Sequence, residues 1–408
     1  MRVIVIGGGP SGLISSSVLA EFGHNVILLE KNEKVGKKLY ITGKGRCNVT
    51  NNCEIQEFLS KVVSNSKFLY SSLYSFTPTD TMEMIENQGV KLKTERGNRV
   101  FPQSDKSSDI IKALQSRCQN CGVKIELNTE VVDVYKNVEK FVVVTNKTKY
   151  ESDAVIVCTG GLSYKPTGST GFGYKIAKKF GHNIIDTVGG LCPIKLKDSF
   201  VKSIEGLSLK NVTLSAFNNG KLIKSMFGEM LFTSDGISGP ITLTISSYIN
   251  RIKDVELYID FKPALTNEIL EHRLINEFDN GKNLQINTVM KNLLPKKLVP
   301  IFLNYCKIDE NTKCNSITVE VRKKIVESLK NFKLDFDRLY DIDYAIITSG
   351  GVDTKQINPK TMESKLVKNL FFAGEVLDVD ALTGGFNIQI ALSTGVSAAK
   401  GVIYGNSN

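Results

Sequence analysis

The sequence predicts an α/β fold in which one parallel sheet is built from both ends of the chain and interrupted by a β-rich, then helical, insertion. Three observations predict it. The chain opens on a continuous apolar run, residues 3–6, which leads into a glycine turn and a helical period. From about residue 191 the pattern changes to short alternating segments. After Tyr344 buried runs and glycine turns return. At 408 residues, two or three domains are expected.

Residues 3–6 (VIVI) are apolar throughout, as a strand covered on both faces requires. A helix over about residues 11–22 follows, packed through Leu13, Val18 and Leu19, and Gly23 stands where a left-handed cap is expected. Residues 26–29 make a second buried strand ending at Glu30. A glycine-rich loop spans residues 36–52. Helical period returns over residues 108–119 and stops near Gly122. Strand-like runs follow at 123–127, 131–135 and 141–145, and a buried run at 154–158 leads into Thr159-Gly160-Gly161. In the insertion, residues 207–217, 221–226 and 255–261 alternate as strands do. After Pro263 the pattern is helical through Phe332, with breaks at Pro295 and Pro300. The expected domains are 1–190 with 345–408, a β-rich domain of 191–262 with about 334–344, and a small helical domain of 263–333.

A formal charge of +10 raises the question of nucleic acid. The pairs Lys178-Lys179, Lys296-Lys297 and Lys323-Lys324 lie beside apolar periodic residues, the pattern of solvated helix faces, so no nucleic-acid partner is expected. Eight unevenly spaced cysteines do not form a secreted disulfide framework. With no leader ahead of the first strand and no apolar run near ~20 residues, a cytoplasmic protein without membrane contact is expected.

Gly7-Gly8-Gly9-Pro10-Ser11-Gly12 fits G-x-G-x-x-G between a strand and a helix, and Glu30 follows Gly12 by 18 residues at the end of the next strand. Gly7 permits the turn, Gly9 leaves room for pyrophosphate, and Gly12 lets the helix pack on the sheet. The pyrophosphate rests at the positive end of that helix. A carboxylate at Glu30 accepts ribose hydroxyls and repels a 2′-phosphate. These features define a Rossmann-type dinucleotide site. A simple NAD dehydrogenase would continue β-α-β after Glu30, but a second glycine-rich stretch, Gly43-Lys44-Gly45-Arg46-Cys47-Asn48, arrives first. Further glycine turns come much later in the chain, which suits a cofactor lying extended through the domain, as FAD does.

The stretches at residues 36–51 (GKKLYITGKGRCNVTN), 168–182 (GSTGFGYKIAKKFGH) and 371–395 (FFAGEVLDVDALTGGFNIQIALSTG) resemble the BaiN-like and aminoacetone-oxidase-like flavoproteins, also called HI0933-like. Residues 348–364, with Gly350-Gly351-Val352, and 228–240 (GEMLFTSDGISGP) fit as well. The resemblance implies a two-dinucleotide-binding FAD domain in two parts, with an inserted β-barrel-like domain and a small helical domain. It places Arg46 and Asn48 at the middle or flavin end of the cofactor, and Val131 as the backbone partner of adenine. It places Gly374 and Glu375 near ribityl and pyrophosphate, and residues 384–388 at the flavin ring. The expected cofactor-binding set is Gly7, Gly9, Pro10, Ser11, Gly12, Glu30, Lys31, Lys38, Arg46, Cys47, Asn48, Val131, Thr159, Gly160, Gly161, Gly374, Glu375, Asp380, Gly384, Gly385, Phe386, Asn387 and Ile388. A helix over about residues 386–400 would turn its free N–H groups toward the pyrimidine edge of the flavin, where negative charge collects on reduction.

Other candidates carry less chemistry. Cys47 and Cys53 have five residues between them where related disulfide reductases keep four, so Cys47 reads as a small buried residue. Cys118 and Cys121 form a lone C-x-x-C without a second pair, and no metal is expected. His24 and His182 follow helix-ending glycines and read as structural; His272, between Glu271 and Arg273, reads as exposed. Asp378 and Asp380 beside Glu375 are the carboxylates nearest the expected cofactor, read as a turn cap and a hydroxyl partner. Lys44 and Arg46 are candidates for an anionic substrate.

The expected function is FAD-dependent oxidation or reduction of a small organic substrate through flavin N5, with NADH or NADPH as a transient donor. Substrate is expected at the edge of the FAD domain facing the insertion. The glycines of 168–173 do not have the spacing of a second nucleotide motif. The resemblance implies either oxidation of a small amine with oxygen or reduction of an enone-like substrate. The alternatives are an FAD redox sensor or nucleic-acid-associated flavoprotein without turnover, and a plain NAD-dependent dehydrogenase. Oligomeric state and catalytic residues beyond the flavin are not legible.

Overall fold

A computed structural model describes residues 1–405 of the chain. It divides into two compact units, one of Met1–Gly190 with the chain from Ile342 onward, the other of Leu191–Asp341.

The first unit is organised by a five-stranded parallel sheet in the order Leu370–Phe372, Ala154–Val157, Arg2–Ile6, Asn25–Leu29, Lys124–Glu126. Val5 stands between Leu28 on one side and Ile156 on the other. The apolar run of the first strand follows from its place: Val3, Ile4 and Val5 are wholly buried. Branched side chains fill both faces of a central parallel strand. One edge of this sheet comes from the far end of the sequence.

The first helix, Pro10–Glu21, carries proline at its first turn, and the chain reverses at Gly23. It packs against the terminal helix, Phe386–Tyr404, so tightly that a Cβ on Gly395 would lie 2.6 Å from the Ser11 carbonyl oxygen. Helix Ser107–Asn120 covers the other side, where Cys118 donates its thiol to the Leu13 carbonyl (3.0 Å). Between residues 50 and 102 lie short elements that the sequence reading passed over. Strand Thr50–Asn51 pairs with Arg99–Pro102, and Val62–Ser64 pairs with Asp380–Ala381. Helix Pro78–Asn87 starts at a reciprocal cap between Thr77 and Asp80.

The second unit holds a seven-stranded antiparallel sheet in the order Phe332–Leu334, Val255–Asp260, Ser208–Asn218, Lys221–Phe232, Gly236–Ser238, Ile194–Leu196, Phe336–Leu339. The strands at the two ends of that order are separated in the chain by Asp335 alone. The helices after Pro263 do not form a core of their own. Leu270, Leu274, Phe302 and Leu329 share one buried cluster with Leu257 and Phe332 of the sheet, and Phe302 stacks on Phe332 at 6.2 Å. Among the described residues no helix is long and apolar enough to cross a membrane.

Candidate functional site

The glycine turn after the first strand shows what each glycine does. A Cβ on Gly7 would lie 2.5 Å from the Cys158 carbonyl oxygen, and one on Gly12 would strike the Gly7 carbonyl oxygen. One on Gly9 meets no atom within 4 Å. Gly7 and Gly12 are therefore demanded by the protein's own packing, and Gly9 faces open space. No side chain caps the helix that begins here, with Pro10 and the buried Ser11 in its first turn, so its end is left for an anion.

Glu30 is buried at the end of the second strand. Its carboxylate accepts the Gly8 N–H (2.7 Å) through one oxygen, and the Asn32 N–H (2.8 Å) and side-chain amide (2.6 Å) through the other. It thus fixes the glycine turn, and the oxygen that takes the Gly8 N–H keeps a lone pair for a hydroxyl. The Thr129 N–H donates to the Glu30 carbonyl (2.9 Å), which brings buried Val131 to the same end. Lys31 reaches Thr170 (3.4 Å), in the glycine run of residues 168–173.

Lys38 and Glu375, 337 positions apart, form an ion pair of 2.7 Å. Lys38 also donates to Ser163 (2.7 Å), and Glu375 accepts the Thr348 N–H (2.8 Å). The Thr348 hydroxyl accepts the N–H groups of Leu162 (2.7 Å) and Ser163 (3.0 Å), which holds the loop after Thr159-Gly160-Gly161. The Thr159 hydroxyl is buried there without a hydrogen-bond partner among the described residues.

Arg46 is held by carboxylates of its own. Its guanidinium pairs with Glu95 and with Asp105 (2.6 Å) and lies over the Phe101 ring at 4.2 Å. Those two carboxylates hold the guanidinium above its usual pKa. Cys47 is buried at φ +58°, and burial pushes its thiol up to about 12. Burial likewise raises Cys53 to about 11, so neither supplies a thiolate near neutral pH. The Asn48 side-chain oxygen is buried with no partner among the described residues.

At the other end, the Gly374 N–H donates to Thr394 of the terminal helix (3.0 Å), and a Cβ on Gly374 would lie 2.7 Å from the Ser11 hydroxyl. The two glycine turns therefore meet. Asp380 accepts the Ser349 hydroxyl (3.1 Å), and Asn65 donates to Asp378 (2.8 Å), so both carboxylates are engaged in structure. Gly384 and Gly385 have φ of +129° and +94°, and a Cβ on Gly385 would collide with Thr50. The Gly384 carbonyl accepts the Asn51 side chain (2.9 Å). Asn387 closes the turn on itself through the Ala381 N–H (2.9 Å) and carbonyl (2.7 Å). Phe386 packs edge-on against Phe58 at 4.9 Å, and Ile388 sits half-buried on the core.

Gln389 escaped the sequence reading. It is wholly buried and accepts the hydroxyls of Thr50 (2.6 Å) and Thr81 (2.8 Å) while donating to Ser393 (3.0 Å) and the Phe76 carbonyl (3.2 Å). An amide amid the apolar residues of a helix start was the available signal. His182 is buried between the Ala177 carbonyl (3.2 Å) and Ser364 (2.9 Å). All eight cysteines are unpaired, and among the described residues no group of three or more His, Cys, Asp or Glu could hold a metal ion.

An open face at Gly9, an uncapped helix start, and orphaned polar atoms on Thr159 and Asn48 fit one extended adenine dinucleotide. Fold and site define an FAD-dependent oxidoreductase. The family described as HI0933-like protein Rossmann domain matches residues 1–401, and the chain belongs to it. It is 34% identical over 407 residues to a ribosomal RNA dihydrouridine synthase of Haemophilus influenzae, covering 98% of each chain. It is 28% identical to a 3-dehydro-bile acid delta(4,6)-reductase of Clostridium scindens, again over 98% of each. In fold it matches a 3-ketosteroid delta1-dehydrogenase from Sterolibacterium denitrificans at TM-score 0.53 and 13% identity, covering 99% of each chain.

Proposed function

We propose that this protein reduces a carbon–carbon double bond conjugated to a carbonyl, and that its substrate is a uracil base of ribosomal RNA. Two of the full-length relatives carry names that describe one chemistry: two hydrogens added across a double bond activated by a neighbouring carbonyl. The observation that supports the reading is the turn at Gly384–Gly385, which seats the start of the terminal helix against Thr50, where the flavin ring is expected. Bound FAD supplies hydride transfer through flavin N5. The chain's part is electrostatic and steric. The N–H groups at the helix start stabilise the negative charge of the reduced ring, and Gly9 with Glu30 anchor the adenosine half. Over the whole reaction a nicotinamide nucleotide, NADH or NADPH, gives up the hydride that the β-carbon gains, and water supplies the proton taken by the α-carbon. The RNA assignment rests on the higher identity to the synthase.

The test is anaerobic: FAD-loaded protein, NADH or NADPH, and either a ribosomal RNA fragment or a 3-oxo dienone. Nucleotide oxidation with a gain of two hydrogens on a uridine supports the reading. Bleaching by a small amine, with neither nucleotide reacting, overturns it.

A further inference from the structure

Resting on the RNA reading, we infer that the strap of residues 34–44 grips the RNA strand beside its target base, with Tyr40 as a stacking platform and Lys34 and Lys44 as phosphate contacts. The strap is placed for it. At one end the Gly36 N–H donates to the Gly8 carbonyl (2.9 Å), at the phosphate turn. At the other it runs into Thr50, which lies against Gly385 at the flavin turn.

Its charge is unbalanced. Residues 31–46 (KNEKVGKKLYITGKGR) hold six cations and one acid. Three of the cations are neutralised: Lys37 by Glu33 (3.2 Å), Lys38 by Glu375 (2.7 Å), and Arg46 by Glu95 and Asp105. Lys34 and Lys44 are exposed and form no ion pair among the described residues. Lys106 adds a third exposed cation beside them, next to Ser107, whose hydroxyl donates to the Tyr40 carbonyl (2.7 Å).

An aromatic stands among these charges. Tyr40 is 50% exposed, and the Lys34 ammonium lies 5.2 Å from its ring centroid. A large ring held half in water next to unpaired ammonium groups matches how single-stranded nucleic acid is bound, by stacking plus backbone charge. Lys44 is held at φ +58° between Gly43 and Gly45, a backbone that points its side chain outward at a conformational cost. A solvated face needs neither the ring nor that backbone.

The experiment uses full-length, FAD-loaded protein and a labelled ribosomal RNA fragment, with binding measured across a salt series. Lys34→Gln with Lys44→Gln should lower the slope of log affinity against log salt by about 1.4, at ~0.7 per single-strand contact. Tyr40→Ala should weaken binding about 5- to 150-fold, and Tyr40→Phe should restore it. The flavin spectrum should stay unchanged in all of them. Wild-type slope and affinity in the variants would overturn the strap assignment while leaving RNA as substrate. A wild-type protein that binds no RNA at low salt would overturn the RNA reading, and this inference with it.

Discussion

Gly9 and Gly12 sit three residues apart in one turn, and a methyl group added at each would meet opposite fates. At Gly12 it would strike the Gly7 carbonyl; at Gly9 it would enter empty space from a backbone any residue adopts, φ −81°. Gly12→Ala should cost about 1–3 kcal/mol of stability by overpacking, read from urea unfolding. Gly9→Val should unfold like the wild type yet emerge colourless, and a yellow Gly9→Val protein would mean that no pyrophosphate passes there. His182 gives a pH signature. Burial lowers its pKa below 6.5, so the native state keeps the ring neutral while the unfolded chain binds a proton. Stability from this site is therefore intact above about 6.5 and falls as pH drops below it. The drop in Tm between pH 7 and 5 should be smaller in His182→Gln than in the wild type.

Among the elements, the terminal helix carries the site and the buried amide of Gln389 pins it. Gln389→Leu would leave the Thr50 and Thr81 hydroxyls without their acceptor, at about 1–3 kcal/mol for each buried group so stranded. Denaturant unfolding should show that loss. The flavin midpoint potential should shift as well, because the helix start would no longer be fixed against Thr50; an unchanged potential would make Gln389 merely structural. The long elements were legible because period survives in them: the opening strand and helix were expected at 3–6 and 11–22 and stand at Arg2–Ile6 and Pro10–Glu21. Thr50–Asn51 and Asp380–Ala381 were not, since a two-residue strand has no period and its partner lies far along the chain. The same distance hid the engagement of Arg46, whose partners Glu95 and Asp105 come from a hairpin and turn about 50 residues further on without a periodic signal.

For the molecule as a whole, the division falls at Gly190 and Ile342, because strands Ile184–Gly190 and Ile347–Val352 pair where the chain leaves and re-enters the first unit. The helical stretch does not stand apart as expected. Its buried residues pack in one cluster with Leu257 and Phe332 of the sheet. A chain ending at residue 368 would lack the edge strand Leu370–Phe372 and the whole terminal helix. It should bind no flavin, and it should expose the face of Pro10–Glu21 that Gly395 covers, detectable as dye binding and aggregation.

Joining the first strand's sheet to residue 370 also sets an order in time. Translation at 5–20 residues per second takes roughly 20–80 s to traverse this chain, and for nearly all of that interval the emerging glycine turn has no terminal helix to meet. Flavin capture is thus a closing event of biosynthesis, and a ribosome stalled anywhere upstream releases only colourless polypeptide.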